Sequence, residues 1–259
     1  MLRYIRSGSG TPAVVIDQGA GVSIEESFLR PVALGWPRVF RQIGKLTRVV
    51  MHDRAGLGWS TDPPGPRTSA EMVGDLRRVL RDARVPPPYV LVGHSIGGFN
   101  ARLFASEHPR EVAGVALVES SHPDQWRRFA KLLPPQTVRE SAILQRLRGR
   151  LDPAVTPERL DFTMSAEQIR SARPLGAIPL IVLSRSPRAV RPPGLPAEIA
   201  GPMEAIWSEL QQELASLSSR GRRIVAAHGG HNLQLDEPQL VADAILDLVR
   251  GARTGEALH

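Results

Sequence analysis

Short apolar runs alternate along this chain with segments whose apolar residues recur at helical spacing. Such alternation is typical of an α/β fold with a largely parallel sheet. The apolar runs predict strands at residues 2–6, 13–16, 47–52, 89–92, 112–118, 178–183 and 223–227. The clearest helix signal is the capping-box spacing of Thr68 and Glu71, from which a helix is predicted to run to about Asp82.

The last third of the chain continues the pattern less regularly. Amphipathic spacing predicts a helix over 203–217, and the proline in the first turn of 238–250 is typical of a helix start. Loops are predicted over 192–202 and 232–237. The tail that begins at Gly251 is expected to fray.

One stretch interrupts the alternation of strands and helices. Residues 124–173 are polar, rich in arginine and helical in spacing, and they contain no convincing strand. We expect them to form a small helical cap inserted into an α/β core domain made of residues 1–123 and 174–259. The apolar residues that would line a pocket beneath this cap are Phe129, Leu132, Leu133, Ile143, Leu144, Leu147 and Met164.

The composition excludes several classes of function. The 259 residues include no cysteine, which rules out disulfides, thiolate metal sites and a cysteine nucleophile. The 33 basic and 26 acidic residues give a net charge of +7. A nucleic-acid-binding face requires a concentrated stripe of basic residues interleaved with aromatic residues. The arginines of this chain are instead scattered, and aromatic residues are not interleaved with them. We therefore expect a small-molecule acyl substrate and no nucleic acid.

The distribution of apolar residues also bears on location. No uninterrupted apolar run is long enough to cross a bilayer. Residues 1–6 enter an alternating pattern without the apolar stretch of a signal peptide. These features predict a cytoplasmic protein without a membrane span, and they leave the oligomeric state open.

The sequence motifs do not indicate a metal-binding or a phosphate-binding site. His228 and His231 form a lone pair, without a third ligand at useful spacing. No P-loop is present, and the glycines do not form a dinucleotide-binding fingerprint. We therefore expect no metal ion and no cofactor.

The strongest chemical signal is the segment 93–97, Gly-His-Ser-Ile-Gly, which matches the pattern G-x-S-x-G. It stands between a predicted strand and a predicted helix, where a sharp turn strains the serine backbone and projects the hydroxyl. The new helix directs its free N–H groups toward the same point. Ser95 is therefore the candidate nucleophile, and the alternative is an idle serine in a glycine-rich turn.

A serine hydroxyl needs an adjacent base to act as a nucleophile. His231 follows the last predicted strand, in the loop where the chain order serine, acid, histidine expects the base. The alternative for His231 is a surface histidine without a catalytic role. His94 and Asn100 are candidates for lining or supporting the same site.

Three segments carry a family pattern. They are Asp53–Ser60, Val92–Gly98 around the candidate nucleophile, and Gly230-His231 followed by 236–238, Asp-Glu-Pro. Together they resemble the α/β-hydrolase superfamily, in particular its cofactor-free serine hydrolases of the esterase and lipase kind. The resemblance covers nearly the whole chain apart from 124–173, and it implies the α/β-hydrolase fold.

The position of the triad acid departs from the commonest pattern of this family. That pattern places a carboxylate just after the strand at 178–183, but residues 184–188 contain none. Some branches carry the acid one strand earlier, where this chain has Glu119. A carboxylate there would orient His231 and stabilise its protonated form. The resemblance thus implies Glu119 as the acid, with Asp124 as the alternative; a strand-end carboxylate paired with a surface arginine is the non-catalytic interpretation.

The resemblance also implies an oxyanion hole made of two backbone N–H groups. One would come from Ile96, directly after the nucleophile. The other would come from Ala20, which follows Gly19 in the loop after the strand at 13–16. The family usually has His-Gly in this loop, and this chain has Gln18-Gly19. The alternative is an ordinary glycine turn.

Together these residues predict a serine hydrolase that cleaves an ester, lactone or related acyl bond through an acyl-enzyme. One alternative is an acyltransferase or perhydrolase, in which another nucleophile replaces water on the same triad. The missing carboxylate after the strand at 178–183 leaves a second alternative, a ligand-binding protein that keeps the fold without catalysis.

Overall fold

A seven-stranded sheet organises the computed structural model, which describes residues 1–29, 35–136, 141–149, 156–187 and 195–256. The strands are β1 (Tyr4–Ser7), β2 (Ala13–Asp17), β3 (Val49–His52), β4 (Tyr89–His94), β5 (Val112–Val118), β6 (Leu180–Ser184) and β7 (Gly221–Val225). Their order is β1-β3-β2-β4-β5-β6-β7. β1 pairs antiparallel with β3, and every other neighbouring pair is parallel. Each predicted strand is present, and the predicted α/β class is confirmed.

Helices cover the sheet on both faces. They are α1 (Ile24–Leu29), α2 (Trp36–Gly44), α3 (Ser69–Asp82), α4 (Gly97–Glu107), α5 (Gln125–Ala130), α6 (Ala142–Gly149), α7 (Phe162–Ser171), α8 (Ala197–Ala215), α9 (Leu233–Asp236) and α10 (Pro238–Thr254). One core cluster joins alternate strand residues to α3, α4 and α7, and the other joins the intervening strand residues to α2 and α10. Because both faces are covered, the inner strands are apolar runs without polar alternation.

The helix predicted from the capping box begins where that motif places it. The Thr68 backbone N–H donates to the Glu71 carboxylate at 2.7 Å, and the Thr68 hydroxyl lies 3.1 Å from the same oxygen. α3 then extends from Ser69 to Asp82, as predicted. The capping box thus satisfies a donor that the first turn of the helix would otherwise leave free.

Three boundary predictions are wrong. α8 begins at Ala197, inside the predicted loop over 192–202, of which 192–194 lie outside the described residues. Pro202 is tolerated because its missing N–H deprives only the carbonyl of Glu198, an exposed residue in the first turn. The loop predicted over 232–237 contains the short helix α9. α10 continues to Thr254, because the Arg253 side chain donates to the backbone carbonyls of Thr11 and Leu46.

The segment 124–173 contributes α5, α6 and α7, and its described residues form no strand of the sheet. Phe162, Ala166 and Ile169 of α7 lie in the same core cluster as α3 and α4. This part of the segment is therefore continuous with the core. Residues 137–140 and 150–155 lie outside the described residues, and the cap over the site stays a prediction.

Among the helices of the described ranges, none combines the length and the apolar character that crossing a bilayer requires.

Replacement of Thr68 by Ala tests the capping box. The variant loses the hydroxyl that belongs to the cap, and we expect a loss of about 1 kcal/mol in the free energy of unfolding. Urea denaturation measures this difference. Ser216→Ala is the control, because that exposed hydroxyl only donates to a carbonyl of its own helix, at 3.2 Å. Equal stabilities of the two variants would contradict the prediction.

Candidate active site

Ser95 occupies the sharp turn between β4 and α4. Its φ of 52° lies in the left-handed region that residues with a side chain rarely adopt, which confirms the predicted strain. Glycines allow the turn to be this tight. A Cβ on Gly93 would lie 2.5 Å from the carbonyl oxygen of Gly97, and one on Gly97 would lie 2.2 Å from that of Asp17. The N-terminus of α4 therefore packs directly on the end of β2.

The loop after β2 reaches the same point. A Cβ on Gly19 would lie 2.9 Å from Nδ1 of His94 and 3.6 Å from Cβ of Ser95, so only glycine lets this backbone come so close. The backbone N–H groups of Ala20 and Ile96, the two predicted oxyanion donors, have no acceptor in the part of the chain that the structure describes. Neither N–H is therefore occupied within the described ranges, and their role as oxyanion donors stays a prediction.

His231 and Glu119 meet at the carboxyl edge of the sheet. Nδ1 of His231 lies 3.3 Å from Oε2 of Glu119. The carboxylate is fully buried, whereas the imidazole is 47% exposed. Within the described ranges, the Ser95 hydroxyl makes no hydrogen bond to the ring of His231; such bonds often tighten only when substrate is present. The structure therefore brings the predicted base and acid into contact, and it shows no hydrogen bond between the Ser95 hydroxyl and the His231 ring within those ranges.

The buried carboxylate of Glu119 is satisfied from several elements. Oε1 accepts hydrogen bonds from the backbone N–H of Arg185 at 2.7 Å and from Nε1 of Trp207 at 3.0 Å. Oε2 lies 3.2 Å from Nη1 of Arg185, in addition to its contact with His231. Burial alone would raise the pKa of Glu119, but the hydrogen bond to His231 and the charge of Arg185 outweigh it and lower that pKa. Glu119 is therefore held as a carboxylate.

Asp124 is engaged elsewhere. Its Oδ1 lies 2.8 Å from Nε of Arg170 and 2.9 Å from Nη2 of Arg127. No contact joins it to His231 among the described residues. The structure thus places Glu119, and not the alternative acid, against the histidine.

Sequence reasoning missed Arg185 and Trp207. Arg185 directly follows β6, where the common pattern has the acid, and its guanidinium stacks on Trp207 at 4.8 Å from the ring centre. β5 and β6 pair in parallel with Val118 opposite Leu183. That register places Glu119 level with Ser184, one residue before Arg185, so the two charged residues are close together at the sheet edge. In the sequence, a glutamate directly after one strand and an arginine two residues after the end of the next apolar run, which ends at Leu183, could have indicated this ion pair.

His94 supports the loop that carries His231. Its Nε2 lies 2.9 Å from the carbonyl oxygen of His231, and because a carbonyl can only accept, Nε2 carries the proton. The two rings lie 5.0 Å apart at an angle of 42°. Burial, reinforced by the neighbouring His231, lowers the pKa of His94 to about 3. His94 is therefore a neutral hydrogen-bond donor to the backbone of His231.

Two carboxylates at the junction of α9 and α10 hold the same loop. Glu237 Oε1 accepts from the backbone N–H groups of His228 at 2.8 Å and of Gly229 at 2.7 Å. Asp236 Oδ2 accepts from the N–H of Gly230 at 2.7 Å. The acidic pair that follows His231 in the sequence thus fixes the backbone that leads to it.

Asn100, the other candidate supporting residue, lies behind the loop after β2. Its Nδ2 donates to Oδ2 of Asp17 at 2.8 Å, and the other oxygen of Asp17 binds Arg54. Arg54 and its further partner Glu158 were also missed, because the local sequence gives no indication of contacts over such separations. As for metal sites, the described residues contain no cluster of three or more His, Asp or Glu that would hold an ion.

The depressed pKa of His94 predicts a pH dependence of stability. An unfolded histidine, with its ordinary pKa of 6.5, takes up a proton before this buried ring does, so acid favours the unfolded chain between pH 6.5 and about 3. The free energy of unfolding should therefore fall with decreasing pH, by up to about 1.4 kcal/mol per pH unit from this group.

His94→Gln tests this dependence, because an amide can still donate to His231 but does not titrate. We expect urea unfolding across this pH window to give a flatter profile for the variant than for the unmodified protein. Equal slopes for the two proteins would contradict the assignment of a buried neutral ring to His94.

Comparison with known proteins agrees with this architecture. Residues 18–150 match the family model described as alpha/beta hydrolase fold. The chain is 28% identical over 244 residues to the uncharacterized protein YqjL of Bacillus subtilis, and the match covers 94% of this chain and 85% of YqjL. It spans only 14–21% of the length of several longer relatives from Hormonema, Saccharomyces and Schizosaccharomyces.

Solved structures share the fold at low sequence identity. A thermophilic esterase from Thermogutta terrifontis aligns with a TM-score of 0.64 and 20% identity, over 98% of this chain and 94% of the esterase. An enol-lactonase from Burkholderia xenovorans LB400 aligns with a TM-score of 0.64 and 19% identity, over 96% of each chain. At such identities the likeness establishes the fold and not the chemistry. Since the family model matches more than half of the 259 residues, the chain belongs to the α/β hydrolase fold family.

Proposed function

We propose that this protein is a serine hydrolase that cleaves an ester, a lactone or a related acyl bond. The nucleophile is Ser95, the base is His231 and the acid is Glu119. The observation that carries the proposal is the contact of 3.3 Å between His231 Nδ1 and the buried Glu119 carboxylate, beside a serine with left-handed backbone. A base oriented by a buried acid next to a strained serine is the arrangement that acyl transfer to serine requires.

The first half of the reaction forms an acyl-enzyme. Ser95 Oγ attacks the substrate carbonyl while Nε2 of His231 takes the hydroxyl proton, because Nδ1 is engaged by Glu119. The carbonyl oxygen becomes an oxyanion that accepts hydrogen bonds from the N–H groups of Ala20 and Ile96. The tetrahedral intermediate then breaks its bond to the leaving alcohol, which receives the proton from His231.

The second half of the reaction restores the enzyme. His231 removes a proton from water, the water oxygen attacks the acyl carbonyl, and the serine oxygen leaves as it regains a proton. The imidazole of His231 is 47% exposed, so water reaches the base directly. This exposure favours hydrolysis over transfer to another acceptor, because any other acceptor must compete with the water that reaches the base.

The substrate class is proposed from the nucleophile and from the structural neighbours. An oxygen nucleophile activated by histidine suits acyl bonds, and neighbours of the same fold are an esterase and an enol-lactonase. We also propose that the part of 124–173 near α5 borders the acyl site. There, the ring of Phe129 lies 6.4 Å from that of Trp207, which donates to Glu119.

Replacement of Ser95 by Ala tests the nucleophile. We expect turnover of p-nitrophenyl esters to fall by about 10⁴-fold or more, because no acyl-enzyme can form. Labelling by a fluorophosphonate, mapped by peptide mass spectrometry, should be lost together with turnover. Ser216→Ala is the control, and it should keep both activities. Turnover or labelling that persists in a folded Ser95→Ala variant would overturn the proposal.

Paired amide substitutions test the acid. Glu119→Gln preserves shape but no longer stabilises the protonated His231, and we expect kcat to fall by about 10³–10⁴-fold. Asp124→Asn disturbs only pairing with Arg127 and Arg170, and we expect a change of less than about threefold in kcat. Circular dichroism of both variants checks the fold. A severe loss in Asp124→Asn with a mild loss in Glu119→Gln would transfer the role to Asp124.

A further inference from the structure

A buried arginine lies directly behind the loop that carries the proposed oxyanion donor Ala20. Arg54 is only 3% exposed, and its two terminal nitrogens bind that loop. Nη1 donates to the carbonyl of Gln18 at 2.7 Å, and Nη2 donates to the carbonyl of Gly19 at 2.6 Å. One guanidinium thus holds two successive carbonyl groups of the loop after β2.

Because the peptide bond is planar, the hydrogen bond to the Gly19 carbonyl also fixes the direction of the Ala20 N–H. In a trans peptide, the carbonyl of one residue and the N–H of the next point in opposite directions. Because the Gly19 carbonyl points at Arg54, the N–H of Ala20 points away from it. Gly19 itself lies against Ser95, since a Cβ added to Gly19 would lie only 3.6 Å from Cβ of Ser95. The orientation of the Ala20 N–H is therefore set from behind by the guanidinium.

The guanidinium is itself anchored by two buried carboxylates. Nη1 pairs with Asp17, whose other oxygen accepts from Asn100 at 2.8 Å. Nη2 pairs with Glu158 at 2.9 Å, and the same carboxylate accepts the backbone N–H of Gly21 at 2.9 Å. Burial opposes the charge of Arg54, but Asp17 and Glu158 outweigh it and raise the arginine pKa. Glu158 belongs to the segment 124–173, so the inserted segment helps to hold both ends of the turn that contains Ala20.

We propose that Arg54 is a positioning residue, which together with Glu158 presets the N–H of Ala20 to receive the oxyanion. This inference rests on the proposed function. Donors that are oriented before the reaction stabilise the transition state without reorganisation at the moment of charge development. The expected signature is a loss of transition-state binding that exceeds any loss of substrate binding.

Arg54→Lys is the most informative variant. Lysine keeps the positive charge between Asp17 and Glu158, but an ammonium lacks the planar fork that binds both carbonyls. We expect kcat for p-nitrophenyl esters to fall by about 10–100-fold, somewhat less than the effect of deleting a whole oxyanion donor, while KM changes by less than about threefold. Arg67→Lys is the matched control, because Arg67 is also mostly buried and pairs with Asp75, away from the loop. It should keep both constants.

A tetrahedral analogue separates positioning from a merely structural role. An alkyl boronic acid accepts Ser95 Oγ at boron and places a boronate oxygen at the two N–H groups, whereas the corresponding ether lacks the carbonyl and cannot develop an oxyanion. We expect Arg54→Lys to weaken boronate inhibition by the same factor as kcat/KM and to leave inhibition by the ether unchanged. Glu158→Gln should show the same pattern with smaller losses, and it carries the test if Arg54→Lys does not fold.

The outcomes separate this inference from the proposed function. Labelling of Ser95 by a fluorophosphonate in the unmodified protein, combined with unaltered boronate affinity in folded Arg54→Lys or Glu158→Gln, would overturn the positioning role alone. Equal losses for the boronate and the ether would also overturn it, since a general structural defect weakens both. If the unmodified protein is neither labelled nor active on esters, the proposed function fails and this inference fails with it.

Discussion

A carboxylate removed from water must be compensated by hydrogen bonds and opposite charge, and Glu119 obtains both from separate parts of the chain. Arg185 follows β6, Trp207 lies in α8 and His231 follows β7. Glu119, Arg185 and His231 converge because β5, β6 and β7 are adjacent and parallel, so their carboxyl ends share one edge of the sheet, against which α8 packs Trp207. Loss of this convergence would leave a buried charge unpaired, so the site and the fold are stabilised together.

An arginine with two carboxylate partners lies beside each part of the proposed site, the acid–base pair and the oxyanion loop. Arg185 lies beside the acid that contacts the base, and Arg54 lies behind the loop that leads to Ala20. Each arginine binds two carboxylates, Glu119 and Glu204 in one case, and Asp17 and Glu158 in the other. A guanidinium suits this role because its rigid fork keeps its charge when buried and binds two acceptors at fixed angles. In each half, an arginine paired with a fully buried carboxylate therefore holds a group that belongs to the proposed site.

The sequence predicts the parts of this arrangement that depend on local pattern. Apolar runs predict each strand, the capping box predicts the start of α3, and the flanking glycines predict the turn at Ser95. The start of α8 is missed because residues 192–202, which end in Pro202, are interpreted as a loop. The hydrogen bond that Pro202 removes belongs to an exposed residue of the first turn, so the helix tolerates the proline.

Most of the site contacts that the sequence does not predict join residues that are far apart in the chain. Arg54 and Glu158 are 104 residues apart in sequence, and Glu119 and Trp207 are 88 apart. No periodicity or motif relates such pairs; the tertiary packing of the inserted segment and of α8 against the sheet brings them together. By contrast, Glu119 itself is predicted as acid from the family pattern of strand ends, and its distance from His231 is consistent with that role.

The covalent intermediate provides the most direct test of the central claim, that this site transfers an acyl group through serine. The unmodified protein should be quenched in acid during turnover of an activated ester and its peptides analysed by mass spectrometry. We expect one acyl group per chain, attached to Ser95, and slow accumulation of this acyl group when Glu119 is replaced by Gln. Turnover without an acylated serine, or acylation at another residue, would contradict it.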